Sequence, residues 1–277
     1  PFDCPSPWSL MHDPRDVPLP RHRQPDLDRR PWWYRASVEG TPTLADPEMR
    51  NLRAKVSRMP HQSDRQLAHM TANYYGMIAL VDHNVGHLLA TLDDLGMRDD
   101  TLVIFTTDHG DMLGNHGMYL KGPWPLEDLL RVGMIASGPG VAPGQVVDVP
   151  VSTLDITPTL CDATGANAEL PLQGKSLLPL LAGHEDPRPC AYSEWTVHPS
   201  RCGIGLALRT VRTRDHKCTI ELESGAGELY DLVNDPDETV NRFDDPGFSA
   251  VRRNLETLLH ARPGDVCVDL PAPIGMA

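Results

Sequence analysis

The spacing of apolar and polar residues divides the chain into a patternless first part and an ordered remainder. Residues 1–60 are rich in Pro and Arg, and Pro14, Pro18, Pro20 and Pro25 interrupt them too often for a long helix. This stretch reads as an extended excursion over a surface, with one short helix near 47–57. Order begins at Ser63, which forms a capping-box signature with Gln66. Leu67, Met70, Tyr74, Met77, Val81, Val85, Leu88, Leu92 and Leu95 then recur at steps of three and four. The spacing predicts one long amphipathic helix with a continuous apolar stripe, stopped at Gly96.

Residues 101–106 are apolar and rich in β-branched side chains. After a helix, such a run predicts a buried strand of a parallel sheet. A helical segment at 125–131, a second strand at 132–136 and helices at 151–164 and 176–181 continue the alternation, which predicts an α/β layer. After Gly183 the polar, Pro-broken residues 184–189 read as a linker. Short strand candidates at 191–195, 205–213, 217–222 and 228–232 then predict an antiparallel sheet, with a helix at 249–260 over one face. The expected division is 1–183 and 184–277.

Composition narrows the function. The 277 residues carry a formal net charge of −13, and a nucleic-acid partner needs a basic face instead. A small anionic ester remains compatible, because a bound dication and one or two basic side chains make a local field positive. A homo-oligomer is also allowed. No apolar run approaches the ~20 residues of a membrane helix. The six cysteines include no C-x-x-C pair and read as small buried hydrophobes, which favours a reducing, cytoplasmic compartment.

The candidate chemistry lies just past the first predicted strand, where open α/β sheets bind ligands. Asp108 offers a carboxylate oxygen and His109 an imidazole nitrogen, a pair suited to a divalent cation. Gly110, Gly114, Gly117 and Gly122 let the backbone turn and approach a ligand. Lys121 can bring a point charge to an oxyanion. Read alone, an Asp-His-Gly tripeptide is better explained as a solvated loop, and Lys121 as a surface lysine.

An ordered set of segments resembles the sulfatases of the alkaline phosphatase superfamily. It comprises Val81-Asp82-His83-Asn84-Val85-Gly86, Thr101 to Phe105, Asp108-His109-Gly110, Lys121-Gly122-Pro123, Gly138-Pro139-Gly140, Leu154-Asp155-Ile156-Thr157-Pro158, Gly174-Lys175-Ser176, Ser193-Glu194-Trp195 and Glu228-Leu229-Tyr230-Asp231. The resemblance implies an α/β fold: part of an alkaline-phosphatase-like sandwich with helices around a mainly parallel sheet, plus a smaller C-terminal α+β subdomain with an antiparallel sheet. It implies that Asp108 and His109 ligate a metal and that Lys121 contacts the sulfate and offsets charge on the leaving oxygen. His116 takes a supporting position. Calcium is the expected cation, with manganese or zinc as alternatives that tolerate imidazole better. Trp195, His198 and Arg201 are candidates for substrate recognition or for ordinary packing.

The implied reaction is metal-dependent hydrolysis of sulfate esters. Phosphonate monoester or phosphodiester hydrolysis, a phosphosugar mutase and a non-catalytic binding protein are the alternatives. His109, at a position where the family has Asn or His, makes the chain similar to phosphonate monoester hydrolases and choline-sulfatase-like enzymes as well as to many ordinary sulfatases. The family's nucleophile is a Cys or Ser in a C/S-x-P-x-R motif, converted to formylglycine, and no Cys or Ser in this sequence fits it. Cys4-Pro5-Ser6-Pro7 has its second Pro one place late and no following Arg. The resemblance therefore implies that the chain starts within a sulfatase, after the nucleophile, with formylglycine expected only upstream, and that the chain alone is inactive.

Overall fold

The structure is a computed structural model, and it describes residues 2–41, 43–56, 62–199 and 203–264. Helix α1 spans Trp32–Glu39, α2 spans Pro47–Val56 and α3 spans Asp64–Asp94. Strands β1 (Val103–Thr106) and β2 (Met134–Ser137) form one sheet, with the single turn α4 (Glu127–Leu130) between them. Helices α5 (Ile156–Thr164) and α6 (Leu178–Leu181) follow. A four-stranded meander comes next: β3 (Ala191–Val197), β4 (Leu206–Arg212), β5 (His216–Glu221) and β6 (Gly227–Asp231). Helix α7, Ser249–His260, closes the described chain.

The long helix starts where its cap predicts. Ser63 Oγ accepts from the Gln66 amide, and Gln66 Oε1 accepts from the Ser63 amide at 3.0 Å. Its first half buries Leu67, Thr71, Ala72 and Gly76. Gly76 is needed there, because a Cβ would come within 2.4 Å of the Trp8 carbonyl oxygen. The second half departs from the expected continuous buried stripe. Val81, Leu88 and Leu95 are exposed by 50%, 67% and 65%. Periodicity reports the face a helix can bury; what covers that face is decided by the rest of the molecule.

The first sheet corrects a second expectation. β1 and β2 are antiparallel, with Val103 opposite Ser137 and Thr106 opposite Met134. A parallel pair needs a connection that travels the length of the strand and returns. Here residues 107–133 leave and re-enter at the same end, so the strands run in opposite directions. The described residues make a mixed α/β fold with two antiparallel sheets, and the first strand pair is antiparallel where the sequence predicts a parallel one.

The meander matches its prediction, in the order β3-β4-β5-β6 with antiparallel pairing throughout. α7 packs Leu255 and Leu259 on Val211, Cys218 and Leu229 of one face. The other face carries Leu206, Leu208 and Tyr230, which meet Trp33, Tyr34 and Trp124. That core joins the early chain to the late chain. The patternless region thus contains a core helix, α1, with Trp33 and Tyr34 fully buried. It begins directly after Pro31, where a missing N–H costs nothing.

The polar stretch read as a linker is pinned. Arg188 sits 2.6 Å from Asp155 and 2.9 Å from Asp186, and Lys175 sits 2.6 Å from Asp186. Cys4 and Cys218 are buried, Cys161 and Cys190 partly so, and all four are free. Among the described residues no helix is long and apolar enough to cross a membrane.

Candidate active site

The loop between β1 and β2 is folded back on itself. Amides of Met112 and Gly114 donate to the carbonyls of Leu120 and Met118 at 3.0 and 2.8 Å. Met112 and Met118 then bury in the core beside Trp124, Leu126 and Leu129. The loop's own apolar residues therefore anchor it, and its ends are brought together. Gly110 seals the base: its amide donates to the Leu129 carbonyl at 3.0 Å. A Cβ at Gly110 would lie 1.8 Å from the Asp128 carbonyl oxygen, so only glycine permits this approach.

This folding brings the three expected site residues together. The side chain of Asp108 is 80% exposed, and its Oδ2 lies 3.3 Å from His109 Nε2. His109 Nδ1 lies 2.7 Å from the Gly110 carbonyl oxygen, which can only accept, so Nδ1 carries the hydrogen. The Nε2 lone pair is then free to point outward. Lys121 Nζ donates to it at 2.7 Å. Slight desolvation pulls the Asp108 carboxyl upward, but the electrostatic pull of the neighbouring His109 side chain and amide hydrogen bonds outweigh it and hold the group below its ordinary value. Next along the loop, burial pushes the Asp111 carboxyl up against the amides of Leu113 and Leu120.

These residues fit part of a cation site. A metal-bound histidine usually donates its other ring N–H to a carbonyl or carboxylate, as His109 does to Gly110. Asp108 adds one exposed carboxylate. Calcium takes six to eight oxygen ligands, far more than this pair supplies. Among the described residues no group of three or more His, Cys, Asp or Glu is placed to hold a metal ion.

Asp108, His109 and Lys121 line a cleft of about 1630 Å³ together with Arg131, Glu194 and Trp195. Trp195 also packs against the core, which is the packing role read for it. His198 is exposed and Arg201 lies outside the described residues.

His116 is not at the cleft. It is buried at 1% exposure with φ 52°, and its Nδ1 lies 2.8 Å from Arg30 Nη2 and 3.2 Å from Asp26 Oδ2. Burial pushes Asp26 up, but the bonds to His116 and Arg30 prevail and hold it at about 2. Arg30 also donates to the Tyr230 hydroxyl at 2.7 Å. This cluster ties the site loop to the early chain and to β6. Sequence reasoning missed Asp26 and Arg30, because their partners lie 86 to 200 residues away. A further buried cluster sets Lys217 Nζ at 2.5 Å from Glu238 and 3.4 Å from Glu127, the first residue of α4.

A family model described as Sulfatase matches residues 14–166, more than half of the chain. The chain belongs to the sulfatase family. A second family model, described as N-sulphoglucosamine sulphohydrolase, C-terminal, matches residues 114–263 of this sulfatase chain. It is 36% identical over 176 residues to a choline-sulfatase of Rhizobium meliloti (strain 1021), covering 62% of this chain and 33% of that protein. It is 36% identical over 209 residues to an arylsulfatase K of Danio rerio, covering 73% and 38%. Among solved structures it superposes on the phosphonate monoester hydrolase of Agrobacterium radiobacter with a TM-score of 0.76 at 28% identity, covering 94% of this chain and 53% of that one. The sulfatase chain thus spans between a third and a half of the curated relatives it matches first. Its structural neighbours include sulfatases and phosphonate monoester hydrolases of the alkaline-phosphatase-like fold, and the sulfatase homologues are hydrolases.

Proposed function

We propose that the natural protein containing this chain hydrolyses sulfate esters, and that this chain supplies Asp108 and His109 to the metal and Lys121 to the leaving group. One observation carries the reading: Lys121 Nζ, His109 Nε2 and Asp108 Oδ2 converge at the mouth of the large cleft.

Asp108 is anionic at neutral pH, since its carboxyl is held below its ordinary value. His109 turns Nε2 to the cleft, because Nδ1 keeps its hydrogen on the Gly110 carbonyl. A divalent cation held by both would act as a Lewis acid on the ester oxygens. Lys121 is exposed and long, so it can leave His109 and place its ammonium on the ester oxygen as the S–O bond breaks. Its charge offsets the negative charge developing there. No Cys or Ser of the sequence stands in a C/S-x-P-x-R motif, so no attacking group is assigned among these residues. The proposed cation is calcium, with manganese and zinc as the competing outcomes of the same test.

The assay is turnover of an aryl sulfate by the natural protein, with metal content measured on the same sample. Turnover that disappears together with the metal in Asp108→Ala supports the reading. Unchanged turnover and metal content in that variant would sink it. Phosphonate monoester hydrolysis is the second reading, favoured by the superposition on the Agrobacterium radiobacter enzyme over 94% of this chain. Faster turnover of a phenylphosphonate monoester than of the aryl sulfate would select it.

A further inference from the structure

A pair of histidines on α3 lies apart from the cleft. His83 and His87 are four residues apart and so share one face of the helix. Both are exposed. Their rings meet with centroids 4.5 Å apart at 65°, and the two Nε2 atoms are 3.1 Å apart. Neither belongs to the set that lines the cleft.

Two imidazole nitrogens this close are satisfied in one of two ways. One ring keeps a hydrogen on Nε2 and donates it to the other, or both lone pairs face a cation between them. Zinc–nitrogen bonds of about 2.0–2.1 Å at the tetrahedral angle put two nitrogens roughly 3.3 Å apart. At a right angle the same bonds put them about 2.9 Å apart. The observed 3.1 Å falls between these values. A helical His pair at this spacing is also how an H-E-x-x-H helix presents two ligands to zinc. The sequence here is His83-Asn84-Val85-Gly86-His87, without the glutamate, so the pair offers ligands but no general base.

The surroundings favour preorganisation. Trp8 lies against the His83 ring, with centroids 5.3 Å apart. Asn84 turns its amide back to the Leu80 carbonyl at 2.9 Å, so it does not cap the pair. Imidazole suits zinc, copper and nickel, whereas calcium and magnesium prefer oxygen.

We propose that His83 and His87 form a second metal site, bidentate and completed by water, for a borderline transition-metal dication such as Zn2+, Ni2+ or Cu2+. Such an ion bridges one turn of α3 in the half whose apolar face is exposed. It binds the helix, which holds both nitrogens in place, more tightly than the unfolded chain, so it stabilises that half.

The test uses the untagged full chain. Ni2+ or Cu2+ is titrated calorimetrically, and indole fluorescence is followed in the same series. The expected result is a site whose affinity falls at least about ten-fold in His83→Gln and in His87→Gln, since loss of a mere outer-shell partner already costs 10–100-fold. Asp108→Ala should keep it. Copper quenching should be smaller in Trp8→Phe, while the heat of binding persists. Ca2+ should not compete. Equal affinity in wild type and both glutamine variants overturns the proposal, as does loss in Asp108→Ala alone. Both histidines are exposed, so circular dichroism should show the variants folded as wild type.

Discussion

Lys121 Nζ lies 2.7 Å from His109 Nε2, although twelve residues of chain separate them. The nitrogen proposed to meet a metal is the one that accepts from the Lys121 ammonium. On the proposed reading a metal ion and the Lys121 ammonium compete for one lone pair, so Lys121 swings away when His109 ligates.

Lys121→Met separates these roles. It removes the competitor, so metal affinity should be equal to or tighter than wild type. It also removes the charge at the leaving oxygen. In the natural protein kcat for an ester should drop about 10²–10³-fold, the range for losing one stabilising donor. Esters with good leaving groups should suffer least. Metal titration together with a leaving-group series measures both halves, and a loss of metal affinity in this variant would contradict the geometry.

Asp108→Ala should leave the fold intact. The side chain is exposed and packs against nothing in the core, so the stability change should stay within about 0.5 kcal/mol. Metal binding at the cleft should nonetheless be lost. Urea unfolding and metal analysis of one preparation decide the matter; a large fall in stability would assign Asp108 to structure instead.

Gly110→Ala should act in the opposite way. The added methyl would meet the Asp128 carbonyl oxygen at 1.8 Å, a backbone atom that cannot rotate aside. Overpacking of this kind costs about 1–3 kcal/mol or more. The hydrogen bond from the Gly110 amide to Leu129 should open with it, loosening His109 through its bond to the Gly110 carbonyl. A lower denaturation midpoint with faster amide exchange at Gly110 is the expected signature.

Glu228 gives a pH dependence with a definite sign. It is fully buried, accepting from Tyr34 at 3.0 Å and from Tyr230 at 2.7 Å. Burial raises its carboxyl from 4.5 to about 7, against the pull of Arg30. The folded chain thus keeps a proton that the unfolded chain releases. The stability gained is full below about pH 4.5 and is lost as pH rises through about 7. Denaturation series across that window should show wild type losing stability relative to Glu228→Gln as pH increases. Parallel curves would show that Glu228 is already charged in the folded state.

The cap at Ser63, the meander and α7 were legible because each depends on local chemistry or a short period. The antiparallel pairing of β1 with β2 was not, since strand direction depends on the path of residues 107–133 and not on their composition. α1 was hidden because its strength lies in Trp33 and Tyr34 meeting partners far along the chain. The His83–His87 spacing was present in the sequence, but only the helix places their nitrogens 3.1 Å apart.

The sequence by itself singled out Asp108, His109 and Lys121 as candidates, by donor type and by their resemblance to the family's motif. It also determined where most helices and strands lie, since those follow from the period of apolar positions. Tertiary structure alone decided that Lys121 returns to His109, that Gly110 must be glycine, and that Arg30, Asp26 and His116 share one buried cluster. Those contacts join residues separated by 12 to 90 positions, and no local pattern encodes a distance that only the packed core can close.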